Sequence, residues 1–255
     1  FTYPSILYAK SPERKKQIKS FLTDKPIKGK NKWFELGTHD LIGRGCALED
    51  DNAIPLYLRP EFLDIAEGYH ENENCRLRNV LTWIHPATKI KKNTGSMMWH
   101  RDTENRRVCK VFIYYNEITA DKGALNYTKH SRVGEKHHHL HPQENPRGNG
   151  YLSIEAKAQI PEEDIVIAEG KAGDIYFVDT YGFHRGGNIK HGIRLLTQGN
   201  FLPIDAEQIQ RGPLYTFDWG AKSKRKLVYN LVNWNGPKYQ NLSDRQKNYL
   251  ASYDK

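Results

Sequence analysis

The chain has 255 residues, 38% of them hydrophobic and 11% aromatic, with a net charge of +9. That apolar content suffices for a packed core and excludes wholesale disorder, while no apolar run approaches the ~18 residues of a membrane-spanning helix. The three cysteines, Cys46, Cys75 and Cys109, are odd in number and far apart. With no leader-like pattern at the start, they point to a reducing, cytoplasmic compartment rather than a disulfide framework.

The charge is uneven. Residues 10–32 carry nine Lys/Arg against two acids, a local +7, and "KSKRK" at 222–226 adds +4, so the rest of the chain sums to −2. These flanks are either solvated faces or platforms for an anionic partner such as nucleic acid, a lipid head group or an acidic glycan. Ser11 before "PERKKQIKSFL" has the pattern of a capped helix with proline in its first turn. Residues 24–60 read as irregular, and "RPEFLDIAEGY" (59–69) as a second short helix opened by proline.

From residue 76 the texture turns to β. "LRNVLTWIHP" and "VCKVFIYYNEI" (108–118) are strands, "DKG" (121–123) is a turn, and "ALNYT" resumes extended chain. Residues 130–150, with "HHHLH" inside, read as a long polar loop. "DIVIAEG", "GDIYFVDT", "GFHRGG" and "IRLLTQGNFLP" are further short strands. Such spacing suggests a sandwich or barrel. "SDRQKNYLASY" predicts a terminal helix capped by Ser243. The whole reads as one domain: an irregular and helical flank over 1–75, a β core over 76–203, and a cover with a helix over 204–255.

One short segment asks for chemistry. In "WHRDT" (99–103), His100 and Asp102 are two apart. On a strand they would share a face while Arg101 points away. They are either surface polarity on an edge strand or half of a metal site. His184, on a distant strand, would complete the two-histidine, one-carboxylate set that suits non-haem Fe(II). Trp99 would point to the core. Arg194 sits among Ile193, Leu195 and Leu196, and a buried guanidinium needs an anion. Either a protein carboxylate or a bound one could supply it.

"HRDTENRRVCKVFIYYNEITADKGALNYTKHSR" and "GKAGDIYFVDTYGFHRGGN" together resemble the phytanoyl-CoA dioxygenase family of Fe(II)/2-oxoglutarate oxygenases, over roughly residues 76–203. The resemblance implies a double-stranded β-helix, a jelly-roll or cupin-like barrel. It implies that His100, Asp102 and His184 ligate iron and that Arg194 grips the distal carboxylate of 2-oxoglutarate, with O2 as the other co-substrate. It places further co-substrate contacts at about Phe112, with Lys110 and Tyr114 on the same strand face, and near Thr82. A hydroxyl that some members carry two residues after the distal histidine is replaced here by Gly186. Related halogenases have a small residue where this chain keeps Asp102, so the resemblance implies a hydroxylase or desaturase.

The expected function is hydroxylation of an unactivated C–H on a small or carrier-linked metabolite, anionic ones included, with release of succinate and CO2. The 130–150 loop is the expected lid, with Arg132, His137 and Arg147 as candidate substrate contacts. Two rivals stand beside this reading. A cupin-like isomerase or lyase would have no use for a carboxylate grip at Arg194, and a non-catalytic polyanion- or glycan-binding module would have no use for the triad.

Overall fold

The computed structural model describes residues 53–71, 75–87, 93, 95–142, 149–203, 206 and 241–249. The basic tracts at 10–32 and 222–226, the helix expected after Ser11, and Arg147 lie outside the described residues. None of the described helices is long and apolar enough to cross a membrane.

Helix α1 (Ala53–Tyr57) falls in a stretch that reads as irregular, because five residues are too few to show a helical period. Helix α2 (Pro60–His70) begins at proline, as expected, where a missing N–H costs nothing. Seven strands follow: β1 (Cys75–Pro86), β2 (Cys109–Tyr114), β3 (Leu125–Thr128), β4 (Ile165–Ala168), β5 (Ile175–Asp179), β6 (His184–Gly186) and β7 (Ile193–Pro203). They form a four-stranded sheet in the order β1-β7-β2-β5 and a three-stranded sheet in the order β4-β3-β6. Every ladder is antiparallel. Together the sheets make a double-stranded β-helix.

All six residues of β2 are buried. One face, Cys109, Val111 and Ile113, packs with Leu58, Phe62, Leu63 and Ala66 under helix α2. The other turns inward, where Phe112 and Tyr114 meet Leu196, Trp83, Tyr176 and, from the smaller sheet, Leu125. A strand covered on both sides reads as a continuous apolar run, which is why this element was plain in the sequence. Its end has a local cause. Asn116 donates from Nδ2 to Ile193 O (2.9 Å) and accepts from Leu195 N–H (2.8 Å), so a side chain replaces the ladder beyond the Tyr115 N–H bond to Leu195 O (3.0 Å). At Gly199 the ring of Tyr57 lies against the backbone, and a Cβ would meet it at 2.3 Å.

Helix α3 (Ile154–Ala158) is capped by Ser153 and closes a smaller cluster of Leu152, Ala156, Ile160 and Phe183, with Trp99 packed against it. Helix α4 (Asp244–Asn248) starts at Ser243 with a full capping box to Gln246. Just past it, Tyr249 packs edge-on to Phe201 and donates to Glu67 (2.6 Å), tying the C-terminal segment to α2.

The segment 99–103 departs from expectation. It is not a strand: His100 alone makes bridges, to Tyr151 and His184. The N–H groups of His100, Arg101 and Asp102 bond in turn to His184 O, Gly150 O and Thr180 O, three different segments rather than one ladder. The extended chain still puts His100 and Asp102 on one side and Arg101 on the other.

Candidate metal centre

His100 and His184 face each other as a bonded antiparallel pair. His100 N–H donates to His184 O (3.0 Å) and His184 N–H to His100 O (2.9 Å). This brings their rings to 4.2 Å between centroids. The Asp102 N–H, held by Thr180 O at 2.8 Å, swings its carboxylate between them. Oδ1 stands 3.8 Å from His100 Nε2, and Oδ2 stands 3.6 Å from His184 Nε2. One donor atom from each of the three lies within 4.8 Å of the others, the one such cluster among the described residues.

The histidines are oriented identically. His100 Nδ1 sits 2.8 Å from Met98 O, and His184 Nδ1 sits 2.9 Å from Gly182 O. A carbonyl can only accept, so each Nδ1 carries the proton and each Nε2 keeps its lone pair toward Asp102. Fixing one ring nitrogen on a backbone carbonyl is how a metal-binding imidazole is held. Burial lowers both imidazole pKa values, that of His184 to about 3, with the neighbouring His100 adding to it. Burial alone would raise the Asp102 carboxyl. The Lys110 ammonium, with the two imidazoles behind it, outweighs that and holds it below its ordinary range. Since burial keeps the imidazoles neutral, Lys110, which donates to Asp102 Oδ2, is the cation that keeps this group a carboxylate.

Arg194 lies opposite His85 in the β1–β7 ladder, buried. Its guanidinium donates to Gly123 O and to His85 Nδ1 (3.3 Å), while Nε has no hydrogen-bond partner among the described residues. No carboxylate pairs with it among the described residues, and burial lowers its pKa to about 10. Gly186 lies against it, where a Cβ would come within 3.0 Å of Nη1. The donor set therefore fits a divalent metal, and the arginine beyond it fits an anion.

A family profile described as phytanoyl-CoA dioxygenase matches residues 26–192. The chain belongs to the phytanoyl-CoA dioxygenase family. The match reaches well into the N-terminal flank, further than the resemblance at 76–203, and stops two residues short of Arg194. Membership makes this an enzyme of the Fe(II)/2-oxoglutarate oxygenase type, and its cofactors are Fe(II), 2-oxoglutarate and O2. A direct search of curated protein sequences returns no match. Among solved structures, the fold is similar to the epimerase SnoN in complex with Fe3+, alpha ketoglutarate and nogalamycin RO: TM-score 0.50, 14% identity, 78% of this chain and 77% of that one. In another structure of SnoN the chain spans 61% of that protein. The fold is also similar to AviO1 from Streptomyces viridochromogenes Tue57: TM-score 0.50, 17% identity, 77% of this chain and 87% of that one.

The other residues singled out in the sequence take varied places. Phe112 is buried in the inner apolar cluster. The Tyr114 hydroxyl donates to Ala168 O (2.8 Å). Thr82 stands opposite Thr197 in the β1–β7 ladder. Arg132 is exposed and pairs with Asp179 (2.7 Å). His137 is buried, its Nε2 2.7 Å from an Asp164 oxygen that Lys136 shares. Trp99 is half-buried, with Lys157 and Arg185 over its ring at 5.7 and 5.2 Å.

Two neighbours of the triad escaped the sequence reading. The carboxyl of Glu104 is raised by burial first and by the Asp102 charge second. Arg101 is 1% exposed and donates to Ser131 O and Tyr181 O, both at 2.6 Å, and to His141 O and His138 O at 3.2 and 3.4 Å. It thereby ties the histidine-rich loop to the residue between two triad members. Alternation turned it away from the triad, but nothing in the sequence marked its carbonyl partners.

Proposed function

We propose that the protein is a hydroxylase of the Fe(II)/2-oxoglutarate type acting on a small metabolite. His100, Asp102 and His184 would hold the iron, and Arg194 the distal carboxylate of the oxo-acid. The observation that carries this is the pair of neutral imidazoles, each locked through Nδ1, with both Nε2 lone pairs converging on one carboxylate. When bound, iron and 2-oxoglutarate supply the activation of O2 that side chains cannot perform.

The chain's own residues prepare that chemistry. Lys110 keeps Asp102 ionised, and the backbone carbonyls of Met98 and Gly182 fix the two rings. The Nε of Arg194, without a hydrogen-bond partner among the described residues, and Gly186, clearing space beside the guanidinium, support a carboxylate docking there. The apolar wall of Phe112, Leu196 and Trp83 keeps water from the interior. Retention of Asp102 favours oxygen insertion over halogenation.

The test is anaerobic loading with Fe(II) and 2-oxoglutarate, then admission of O2 and measurement of succinate across a substrate panel, with His184→Ala as control. Substrate-dependent succinate, with an oxygen atom from O2 in the product, is the expected result. Equal succinate from both proteins would refute the assigned site. An isomerised product without added oxygen would refute hydroxylation alone.

A further inference from the structure

His100 has a paired neighbour on each side. One is His184, and the other is Tyr151. The second pairing is made by Arg101 N–H to Gly150 O (2.8 Å) and Leu152 N–H to Trp99 O (2.9 Å). Those bonds flank His100 and Tyr151 and so make them a non-hydrogen-bonded pair, the kind whose side chains stand closest. The two backbones are pressed together at Gly150, where a Cβ would meet Arg101 O at 2.3 Å. The Tyr151 N–H is taken by Asn149 Oδ1 (3.0 Å), so the backbone of Tyr151 is held from both sides.

Alternation then decides where the side chains go. Trp99 and Leu152, the next pair along, turn to the cluster that helix α3 closes. His100 and Tyr151 turn the opposite way, to the face of the metal centre, and their rings lie 5.9 Å apart at 43°. His184, His100 and Tyr151 therefore form a row across three segments, and the row runs outward. His184 is buried, His100 is half-buried, and Tyr151 is 41% exposed. A single exposed apolar side chain is ordinary on a protein surface. This one differs in two ways: its backbone is fixed, and its ring lies against a candidate metal ligand.

We propose that Tyr151 is a substrate-binding residue at the mouth of the metal centre, and that its ring takes the face of a neutral ring in the primary substrate. This rests on the hydroxylase reading above. The chemical class follows from the platform. The face of an aromatic ring carries negative potential and turns away a carboxylate. A cation suits such a face, but the carboxylate of the centre, which would favour one, is already held by Lys110. A flexible alkyl chain gives up rotational freedom to lie along the ring, whereas a cyclic group is rigid beforehand. A saturated or an aromatic ring meets these conditions. Resting on Tyr151, it stands beside His100, and that contact sets how its C–H bonds approach the metal.

The test uses the full chain loaded with Fe(II) and 2-oxoglutarate under nitrogen, as wild type, Tyr151→Phe and Tyr151→Ala. Visible charge-transfer absorption reports the iron–oxo-acid complex, and calorimetric titration reports the affinity for probes. The probes are cyclohexylmethanol and benzyl alcohol, a saturated and an aromatic ring, against the open chains 1-heptanol and heptanoate of equal carbon number. At least one cyclic alcohol should bind wild type more tightly than either open chain, and which of the two does so identifies the kind of ring. Tyr151→Ala should bind that probe more weakly by about fivefold. Tyr151→Phe, which keeps the ring, should bind it as wild type does, and all three proteins should keep the absorption. Equal affinity of wild type and Tyr151→Ala, no binding of either cyclic alcohol, tighter binding of an open chain, an equal loss in Tyr151→Phe, or loss of the absorption in Tyr151→Ala would each overturn the proposal. Absence of the absorption in wild type would instead refute the hydroxylase reading. Its presence with undifferentiated probes would refute only the role of Tyr151.

Discussion

Replacing Arg101 by methionine should loosen the histidine-rich loop and bring the fold close to its limit of stability. The side chain makes two short bonds, to Ser131 O and Tyr181 O at 2.6 Å, and two longer ones to the 138–141 turn. A buried acceptor left without its donor costs about 1–3 kcal/mol, so the short pair alone accounts for about 2–6 kcal/mol. The guanidinium also lies 3.9 Å from the ring centre of Phe183 and 4.8 Å from that of Tyr181. Contacts of this kind add up to about 2 kcal/mol when desolvated. Methionine refills some of the volume but none of the donors. The sum is a large part of the roughly 5–15 kcal/mol that holds a typical domain together. Urea denaturation should show a marked drop in midpoint. Hydrogen exchange should show the amides of 131–141 losing protection first, and Arg101→Lys, which keeps the charge but not the fork, should fall between. An unchanged midpoint with unchanged exchange across 131–141 would refute the reasoning.

Other outcomes follow from the same geometry. Lys110→Met strands the Asp102 carboxylate, and breaking a buried pair by removing one partner costs about 3–5 kcal/mol; the metal-free thermal midpoint checks this. The depressed pKa of Asp102 means that its contribution is present above the ordinary value of 3.8 and lost as pH falls below it, so Lys110→Met should also flatten the acid limb. Burial holds His184 at about 3 and His70 at about 4, against an ordinary 6.5. Between those values and 6.5 the unfolded chain binds protons that the folded chain refuses, so stability should fall as pH drops through that window; denaturation midpoints level from pH 7 to pH 4 would contradict it. Gly199→Ala forces a methyl into the Tyr57 ring and should cost about 1–3 kcal/mol or more, read by the same denaturation. Arg194→Ala should weaken 2-oxoglutarate binding by about 2–5 kcal/mol while leaving iron affinity nearly intact, measured by titration of each; equal losses would remove the arginine from its role.

Strands β2 and β7 were legible because they are buried along most of their length, and burial writes itself into side-chain polarity, whereas β4 showed only in its β-branched residues, Val166 and Ile167 being exposed. Pro60 and Ser243 announced their helices through backbone chemistry that needs no partner from elsewhere. Helix α1 was not legible, being too short for a period. Segment 99–103 has residue types that allow a strand, but the N–H groups of His100, Arg101 and Asp102 go to three different segments, and that choice is made by distant chain.

What the sequence determined by itself was local. It set which segments extend, where helices begin, and that His100 and Asp102 share a side two residues apart. Tertiary structure alone decided that His184 meets His100 as a bonded pair, and which carbonyls enclose Arg101. Those are through-space contacts between residues tens of positions apart, and sequence spacing carries no distance beyond the span of a single strand or helix.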